Sequence, residues 1–275
     1  MLAIFFVVAV GLFGALIGSF LNVVVWRTPR GESLVHPGSH CPHCNHEIRW
    51  YDNIPVVSWL VLRGKCRDCG GPIAVRYPAV ELGTSLFFAG TALFTISGSA
   101  PGFRVDVLPF ALALVAFLYL ASISVALTLI DLDTQRLPNV IVLPAYIVGI
   151  LLLGASSLFA GDLDALLRMA VGGAALFVVY FLMAFLYPGG MGFGDVKLAG
   201  VLGLFLGWLG WGPLAVGAFA PFALGGLFAL GLVIARRAGR KTKIPFGPWM
   251  LAGSWIGVFA GAPIGSWYLG LFGLA

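Results

Sequence analysis

The first 26 residues, MLAIFFVVAVGLFGALIGSFLNVVVW (1–26), contain no charged side chain, and this stretch decides the class of fold. An apolar run of this length can cross the roughly 30 Å hydrocarbon core of a bilayer as one helix. The run has no basic residues at its start and no small-residue cleavage signal before Arg27. We therefore expect a retained first span and not a cleaved signal peptide.

Further apolar runs follow along the whole chain of 275 residues. The sequence is 60% hydrophobic and 10% charged, with a mean hydropathy of +1.01, so it cannot supply a polar surface for a water-soluble protein. We predict an all-α polytopic membrane protein with about eight transmembrane helices and both termini on the same side. The predicted spans are 2–26, 79–98, 107–130, 140–160, 165–188, 195–210, 213–235 and 247–270.

Lysines and arginines cluster at the ends of these runs. Fourteen of the sixteen fall on one predicted face, and only Arg104 and Arg168 fall on the other. The excess of basic residues marks the cytoplasmic face, so we expect both termini to be extracytoplasmic. The net charge of +5 is not arranged along a helix face with stacking aromatics, and we predict no nucleic-acid partner.

Residues 27–78 form the one sizeable polar insertion, and they separate helix 1–26 from a membrane-embedded domain at 79–275. All four cysteines lie there, in two C-x-x-C pairs 21 residues apart: Cys41, Cys44, Cys66 and Cys69. Two such pairs resemble a zinc ribbon, in which each pair gives two thiolates to one tetrahedral ion. We predict a small cytoplasmic zinc-ribbon-like module. The alternatives are a disulfide pair, which a reducing cytoplasm disfavours, and a redox dithiol, for which no βαβ pattern surrounds either motif.

Four acidic residues lie near the cytoplasmic ends of predicted helices, where an ionisable group is costly and often functional: Glu81, Asp131, Asp133 and Asp195. The alternative is that each is a solvated helix-end charge. Asp131 precedes the helix breaker Pro138-Asn139, and Asp195 follows Gly192-Phe193-Gly194. The predicted topology brings Asp131 and Asp195 to the same face at similar depth, although they are 64 residues apart.

Two carboxyl groups that meet in a partly desolvated site share a proton, so that one acts as a base toward water and the other as an acid toward a carbonyl oxygen. This is the requirement of an aspartyl protease. The sequence contains no H-E-x-x-H or G-x-S-x-G motif, and its four histidines all lie in the polar insertion.

The chain resembles the GxGD membrane aspartyl proteases, and more closely the bacterial type IV prepilin peptidases. The motifs that carry this resemblance extend over nearly the whole chain. They are Gly18-Ser19-Phe20-Leu21-Asn22-Val23 with Arg27 and Pro29, the two C-x-x-C pairs, Arg76-Tyr77-Pro78 with Glu81, Ile130-Asp131 through Leu137-Pro138-Asn139, Gly192-Phe193-Gly194-Asp195 with Lys197, and Ile244-Pro245-Phe246-Gly247-Pro248. Asn139 is a departure, because many members have aspartate there.

The resemblance implies a multi-pass enzyme of the bacterial inner membrane that cleaves the short basic leader of prepilins or pseudopilins at the cytoplasmic face. Cleavage follows a glycine and precedes a hydrophobic residue, and the new amine is then methylated from S-adenosylmethionine. Carried over by position, Asp131 and Asp195 are the catalytic pair, supported by Gly192, Gly194, Lys197 and Pro138, and the four cysteines bind the metal.

Gly18, Ser19, Asn22 and Glu81 are hypothesised to line a groove for the leader or the methyl donor, with helix packing as the alternative for Gly18 and Ser19. Two other functions remain open at this stage. One is a transporter or channel that uses Asp131 and Asp195 as an ion or proton site. The other is a metal-binding scaffold without chemistry.

Overall fold

The computed structural model describes residues 1–98, 106–187, 189–236 and 245–273. Within them, helices account for almost all of the regular structure, and the cysteine region contains only isolated β-bridges. The helices are α1 (Leu2–Arg27), α2 (Val57–Val61), α3 (Arg76–Ile96), α4 (Val107–Thr134), α5 (Asn139–Ala160), α6 (Leu163–Leu186), α7 (Phe193–Leu209), α8 (Trp211–Ile234) and α9 (Gly247–Gly270).

A long helix is present at each of the eight predicted positions, and six of them are long and apolar enough to cross a membrane. These six are α1, α3, α4, α5, α6 and α8. Helix α7, with 17 residues, and helix α9 fall outside this set. The protein is therefore a multi-pass membrane protein by length and composition.

Some predicted boundaries need correction. Helix α4 continues to Thr134, and it ends because Gln135 adopts a left-handed conformation (φ 52°) with its N–H bonded to the Asp131 carbonyl at 2.8 Å. Asp131 thus lies within the last turn of α4, and Pro138 precedes the first turn of α5. Helix α3 begins at Arg76, before the predicted 79. Arg104, the basic residues 237–243 and Ile244, all used in the predictions above, lie outside the described residues.

The chain forms two compact units. Unit 1 comprises Met1–Ser97 and Phe117–Ala126, and unit 2 comprises Gly98–Ala116 and Leu127–Ala275. In unit 1, α1 and α3 pack antiparallel through a stripe of glycines on α1. A Cβ at Gly11 would lie 3.3 Å from Ala89, and one at Gly18 would lie 2.8 Å from the Glu81 Cα. Small residues allow such close helix approach within a bilayer.

In unit 2, α7 packs against α5, α6, α8 and α9, and its side chains from Leu198 to Leu209 are all buried. Its antiparallel contact with α6 is also made by glycines, since a Cβ at Gly172 would lie 2.5 Å from the Gly203 carbonyl. Side-chain bonds join α7 to α5 along their length, among them Tyr146 Oη to the Lys197 carbonyl (2.7 Å) and Trp208 Nε1 to Ser157 Oγ (2.8 Å). Helices α5 and α7 consequently begin at the same level of unit 2.

Candidate active site and metal centre

Asp131 is a buried carboxylate in the last turn of α4. Its Oδ2 accepts a hydrogen bond from the Gly247 N–H, at the start of α9, at 3.0 Å. A Cβ at Gly247 would lie 2.6 Å from the same oxygen, so only glycine allows this approach. The first N–H groups of a helix have no partner within the helix, and Gly247 gives one of them to Asp131.

Asp195 lies in the first turn of α7. Its Oδ2 accepts from the Gly192 N–H at 3.1 Å, and its own N–H donates to the Gly192 carbonyl at 3.0 Å. This reciprocal pairing is a capping arrangement that starts the helix, and the negative charge suits the positive end of the helix dipole. The Gly-Phe-Gly-Asp sequence thereby fixes one carboxylate oxygen of Asp195 at the N-terminus of α7.

The structure brings the two aspartates into one region of unit 2. The charge of Asp131 acts on the Asp195 carboxyl group. Leu137, which follows α4, lies against the starts of α7 and α9. A Cβ at Gly194 would lie 3.0 Å from the Leu137 Cβ, and one at Gly247 would lie 3.3 Å from the Leu137 Cδ2. The end of α4 and the beginnings of α7 and α9 therefore meet around the two carboxyl groups.

The supporting residues lie beside this pair. Lys197 donates from Nζ to Asn139 Oδ1 at 2.9 Å, and its ammonium lies 4.8 Å from the centre of the Phe193 ring. Pro138 is the residue before α5, and its backbone is extended (ψ 129°), which positions Asn139 for this bond. Asn139 accepts the bond as a neutral group.

Sequence reasoning assigned no role to three neighbours of the pair: Gly247, Leu137 and Tyr180. Gly247 belongs to the motif of residues 244–248, in which Pro245 and Pro248 are the only local signal for its role. Tyr180 of α6 is buried and lies within electrostatic range of Asp195. The centre of its ring lies 5.6 Å from that of Phe222 and 6.4 Å from that of Phe246. These three aromatic rings form an apolar surface that no local sequence pattern predicts.

The four hypothesised groove residues lie together in unit 1. Glu81 is buried, with Oε2 accepting from the Val56 N–H at 2.7 Å and a further hydrogen bond to Ser19. Asn22 donates from Nδ2 to the Tyr77 carbonyl at 3.2 Å. Gly18 is packed against α3. These contacts join α1, α3 and the cysteine region, and they give the polar side chains of Asn22 and Glu81 partners outside the set.

The four cysteine sulfurs form one cluster, with all Sγ atoms within 4.8 Å of one another. Sulfurs bound to one tetrahedral zinc at about 2.3 Å would be separated by about 3.8 Å, so this donor set fits such an ion. Cys41 Sγ and Cys69 Sγ already lie 3.8 Å apart. Among the described residues, the cluster contains no histidine.

The two cysteine knuckles have the same backbone pattern. In each, the first cysteine's N–H donates to a carbonyl five residues later, Cys41 to His46 (2.9 Å) and Cys66 to Gly71 (2.8 Å). Backbone N–H groups of Cys44 and His43 point at the Cys41 sulfur and lower the pKa of this thiol to about 6. A thiolate favoured in this way is the form that ligates a metal.

An ion-pair network also joins the two knuckles. Arg67, inside the second knuckle, donates from Nε (2.8 Å) and Nη2 (2.6 Å) to the two carboxylate oxygens of Asp52. Arg49, which follows the first knuckle, contacts Asp68 at 3.0 Å. The hydrogen bonds from Arg67, together with the charges of Arg67 and Arg49, lower the pKa of Asp52.

Two protein-family models match the chain. Residues 12–95 match the model of the bacterial peptidase A24 N-terminal domain, and residues 117–235 match that of the type IV leader peptidase family. No solved structure matches the chain.

Curated relatives described as prepilin leader peptidase/N-methyltransferase are similar to the chain over most of their length, as three of them show. The protein from Aeromonas hydrophila is 37% identical over 94% of this chain and 92% of its own. The one from Pseudomonas aeruginosa is 37% identical over 96% and 93%. The one from Myxococcus xanthus is 38% identical over 86% and 67%.

Proposed function

The chain belongs to the type IV leader peptidase family, and from this premise we propose that Asp131 and Asp195 are the two carboxyl groups that hydrolyse the leader peptide bond. The activity is that of a prepilin leader peptidase with N-methyltransferase activity. The alternative of a transporter or channel has no support from these relatives. The observation that carries the residue assignment is the joint position of the two aspartates at the meeting of α4, α7 and α9.

The mechanism follows from two acids that share one proton. One carboxylate takes a proton from a water molecule as the water oxygen attacks the carbonyl carbon of the scissile bond, and the other acid gives its proton to the carbonyl oxygen. Collapse of the tetrahedral intermediate breaks the C–N bond. The acid that took the proton from water gives it to the leaving nitrogen, and the other carboxylate takes back the hydroxyl proton as the C=O bond re-forms. The Gly247 and Gly192 amides each hold one oxygen of the pair, which leaves the other oxygen of each acid for the reaction.

The substrates are prepilin or pseudopilin precursors, with the leader cut after a glycine. We propose that the substrate's hydrophobic segment lies in the bilayer while its basic leader stays in the cytoplasm, so that the scissile bond lies where the two meet. This requires the site to be at the cytoplasmic surface of the inner membrane, as the distribution of basic residues supports. With eight crossings, including α7 and α9, both termini are extracytoplasmic.

The four cysteines bind zinc in this proposal, and the ion has a structural role. Four thiolates close the coordination shell and leave no position for substrate. A region of about 50 residues buries too little apolar surface to hold its shape alone, and a bound ion would supply this stability.

The methyl group added to the new N-terminus would come from S-adenosylmethionine. Gly18, Ser19, Asn22 and Glu81 do not form an open site for so large a cofactor. Gly18 is covered by α3, and the side chains of Asn22 and Glu81 are bonded to the Tyr77 carbonyl and the Val56 N–H. We propose that these four residues hold the cysteine region against α1 and α3, and that any effect on leader or methyl-donor binding acts through that region.

The test uses the purified full chain in detergent with a prepilin-like peptide. Asp131→Asn and Asp195→Asn each remove one acid without changing side-chain size, and each should lower cleavage by at least about 1,000-fold. Asp133→Asn, an exposed neighbour on α4, is the matched control and should cleave at the wild-type rate. Methylation of a pre-cleaved peptide should persist in all three variants and would show that they are folded. Cleavage by either of the first two variants at the control rate would refute the assignment.

A further inference from the structure

The segment Trp50–Leu62, WYDNIPVVSWLVL, is the most apolar part of the cysteine region. Its inner side is fastened by hydrogen bonds. Ser58 is buried, donates from Oγ to the Tyr51 carbonyl at 2.9 Å and accepts from the Ile54 N–H at 3.0 Å. Trp59 donates from Nε1 to the Ile73 carbonyl at 3.1 Å. These bonds fix which side of the segment faces the rest of the region.

The outer side of the segment is apolar and exposed. Val57, Leu60 and Val61 follow the i, i+3, i+4 spacing of a single helix face, and their exposed fractions are 53%, 61% and 69%. Trp50, at the start of the segment, is 80% exposed. An apolar face of this kind is unfavourable in water and is typical of a surface that meets a partner or a membrane.

A contact within unit 1 sets the position of this exposed face along the axis of α3. Val56, next to Val57, donates its N–H to Glu81, which lies five residues after the first residue of α3 and so about 7.5 Å along its axis. Val56 has a φ of 62°, an unusual conformation for a β-branched residue that persists only where the surroundings hold it. Because α1 and α3 can each cross a membrane, Glu81 lies near the membrane surface, and the segment is held at the same level.

The surroundings of the segment also suit a membrane surface. Trp26, at the end of α1, and Tyr77, at the start of α3, are exposed aromatic residues at the same end of the helix pair. Aromatic residues of this kind concentrate where headgroups meet acyl chains. Exposed Arg63 and Lys65 follow the segment and complement anionic headgroups, as in amphipathic segments that lie in the interface.

We propose that residues 50–62 are an interfacial anchor that lies in the lipid surface, with Val57, Leu60 and Val61 at the boundary between headgroups and acyl chains. Glu81 sets its depth through the Val56 N–H and thereby determines how the cysteine region sits on the bilayer. The proposal rests on the membrane crossing of α1 and α3, and it is independent of the roles given to Asp131 and Asp195.

The test places the photoreactive residue p-benzoylphenylalanine at Leu60 in the full zinc-loaded chain, reconstituted in vesicles of phosphatidylethanolamine and phosphatidylglycerol. The matched control places it at Glu47, which is exposed in the first knuckle of the same region. After irradiation, mass spectrometry should find phospholipid adducts in several-fold excess at Leu60 over Glu47. Equal yields at the two positions, or adducts at Leu60 with a co-reconstituted prepilin in place of lipid, would overturn the proposal.

A second variant tests the role of Glu81. Glu81→Ala removes the acceptor for Val56, and the lipid adduct yield at Leu60 should fall severalfold while the metal content per chain stays unchanged. An unchanged adduct yield would refute depth control by Glu81. The two-aspartate proposal is tested by the Asp131→Asn and Asp195→Asn variants, so the two ideas can fail independently.

Discussion

The Asp131 carboxylate is held by the amide of a residue 116 positions away in the sequence. Motif spacing predicted Asp131 and Asp195 as a pair, because both follow from local signals near a predicted helix end. Gly247 could not be assigned in the same way, since its role depends on where α9 begins relative to the end of α4. A contact between segments that are distant in the sequence produces no local pattern from which it could be predicted.

Gly247→Ala tests this contact. The added Cβ would lie 2.6 Å from Asp131 Oδ2 and must displace the carboxylate, so peptide cleavage should fall about 100-fold. Gly226→Ala is the matched control, because a Cβ there meets nothing within 4 Å. Thermal unfolding of both variants would confirm that the fold is retained. Equal cleavage rates for the two variants would show that the Gly247 amide does not position Asp131.

At the scale of elements, the cysteine region illustrates what spacing can and cannot predict. The two C-x-x-C pairs predicted the cluster of four sulfurs, because a short turn aims both thiols of each pair at one point. The bonds between Asp52 and Arg67 were not predicted, since they join residues whose positions depend on the fold of both knuckles. The short helix α2 was missed too, because five residues are too few for a helical period to be recognised.

Asp52→Asn should loosen the connection between the knuckles and release the bound metal to a chelator about 2- to 5-fold faster at neutral pH. The pKa of Asp52 is lowered in the folded protein, so its contribution is fully present above the ordinary value near ~3.9 and is lost only as pH falls through the lowered pKa. The difference between variant and wild type should therefore be present at pH 7. Glu32→Gln, an exposed acid before the knuckles, is the control, and equal release from all three proteins would contradict the prediction.

Across the whole molecule, the long apolar runs without charged residues predicted the positions of the eight long helices in the described residues. The helix ends were less predictable, because a left-handed residue such as Gln135 stops a helix without a recognisable breaker. The number of crossings is a separate question. Helix α7 is about 25 Å long, slightly less than the hydrocarbon thickness of about 30 Å, and it is enclosed by four other helices of unit 2.

Reporter fusions test the crossing of α7. With eight crossings, alkaline phosphatase fused after Gly161 or Gly210 should be active, because both residues lie outside the cytoplasm. β-Galactosidase should be active after Arg136 or Arg236 at the opposite face. Phosphatase inactivity of the Gly210 fusion, with activity retained at Gly161, would show that α7 does not cross.

Chemical cross-linking measures directly whether Asp131 and Asp195 lie in one site. Both are replaced by cysteine in the zinc-loaded full chain, a short bifunctional thiol reagent is added, and linked peptides are identified by mass spectrometry. We expect a link between positions 131 and 195 and none in the control pair Asp131→Cys/Trp211→Cys, because Trp211 lies beyond the far end of α7. A yield at 131–195 no higher than in the control would contradict the convergence of the two acids.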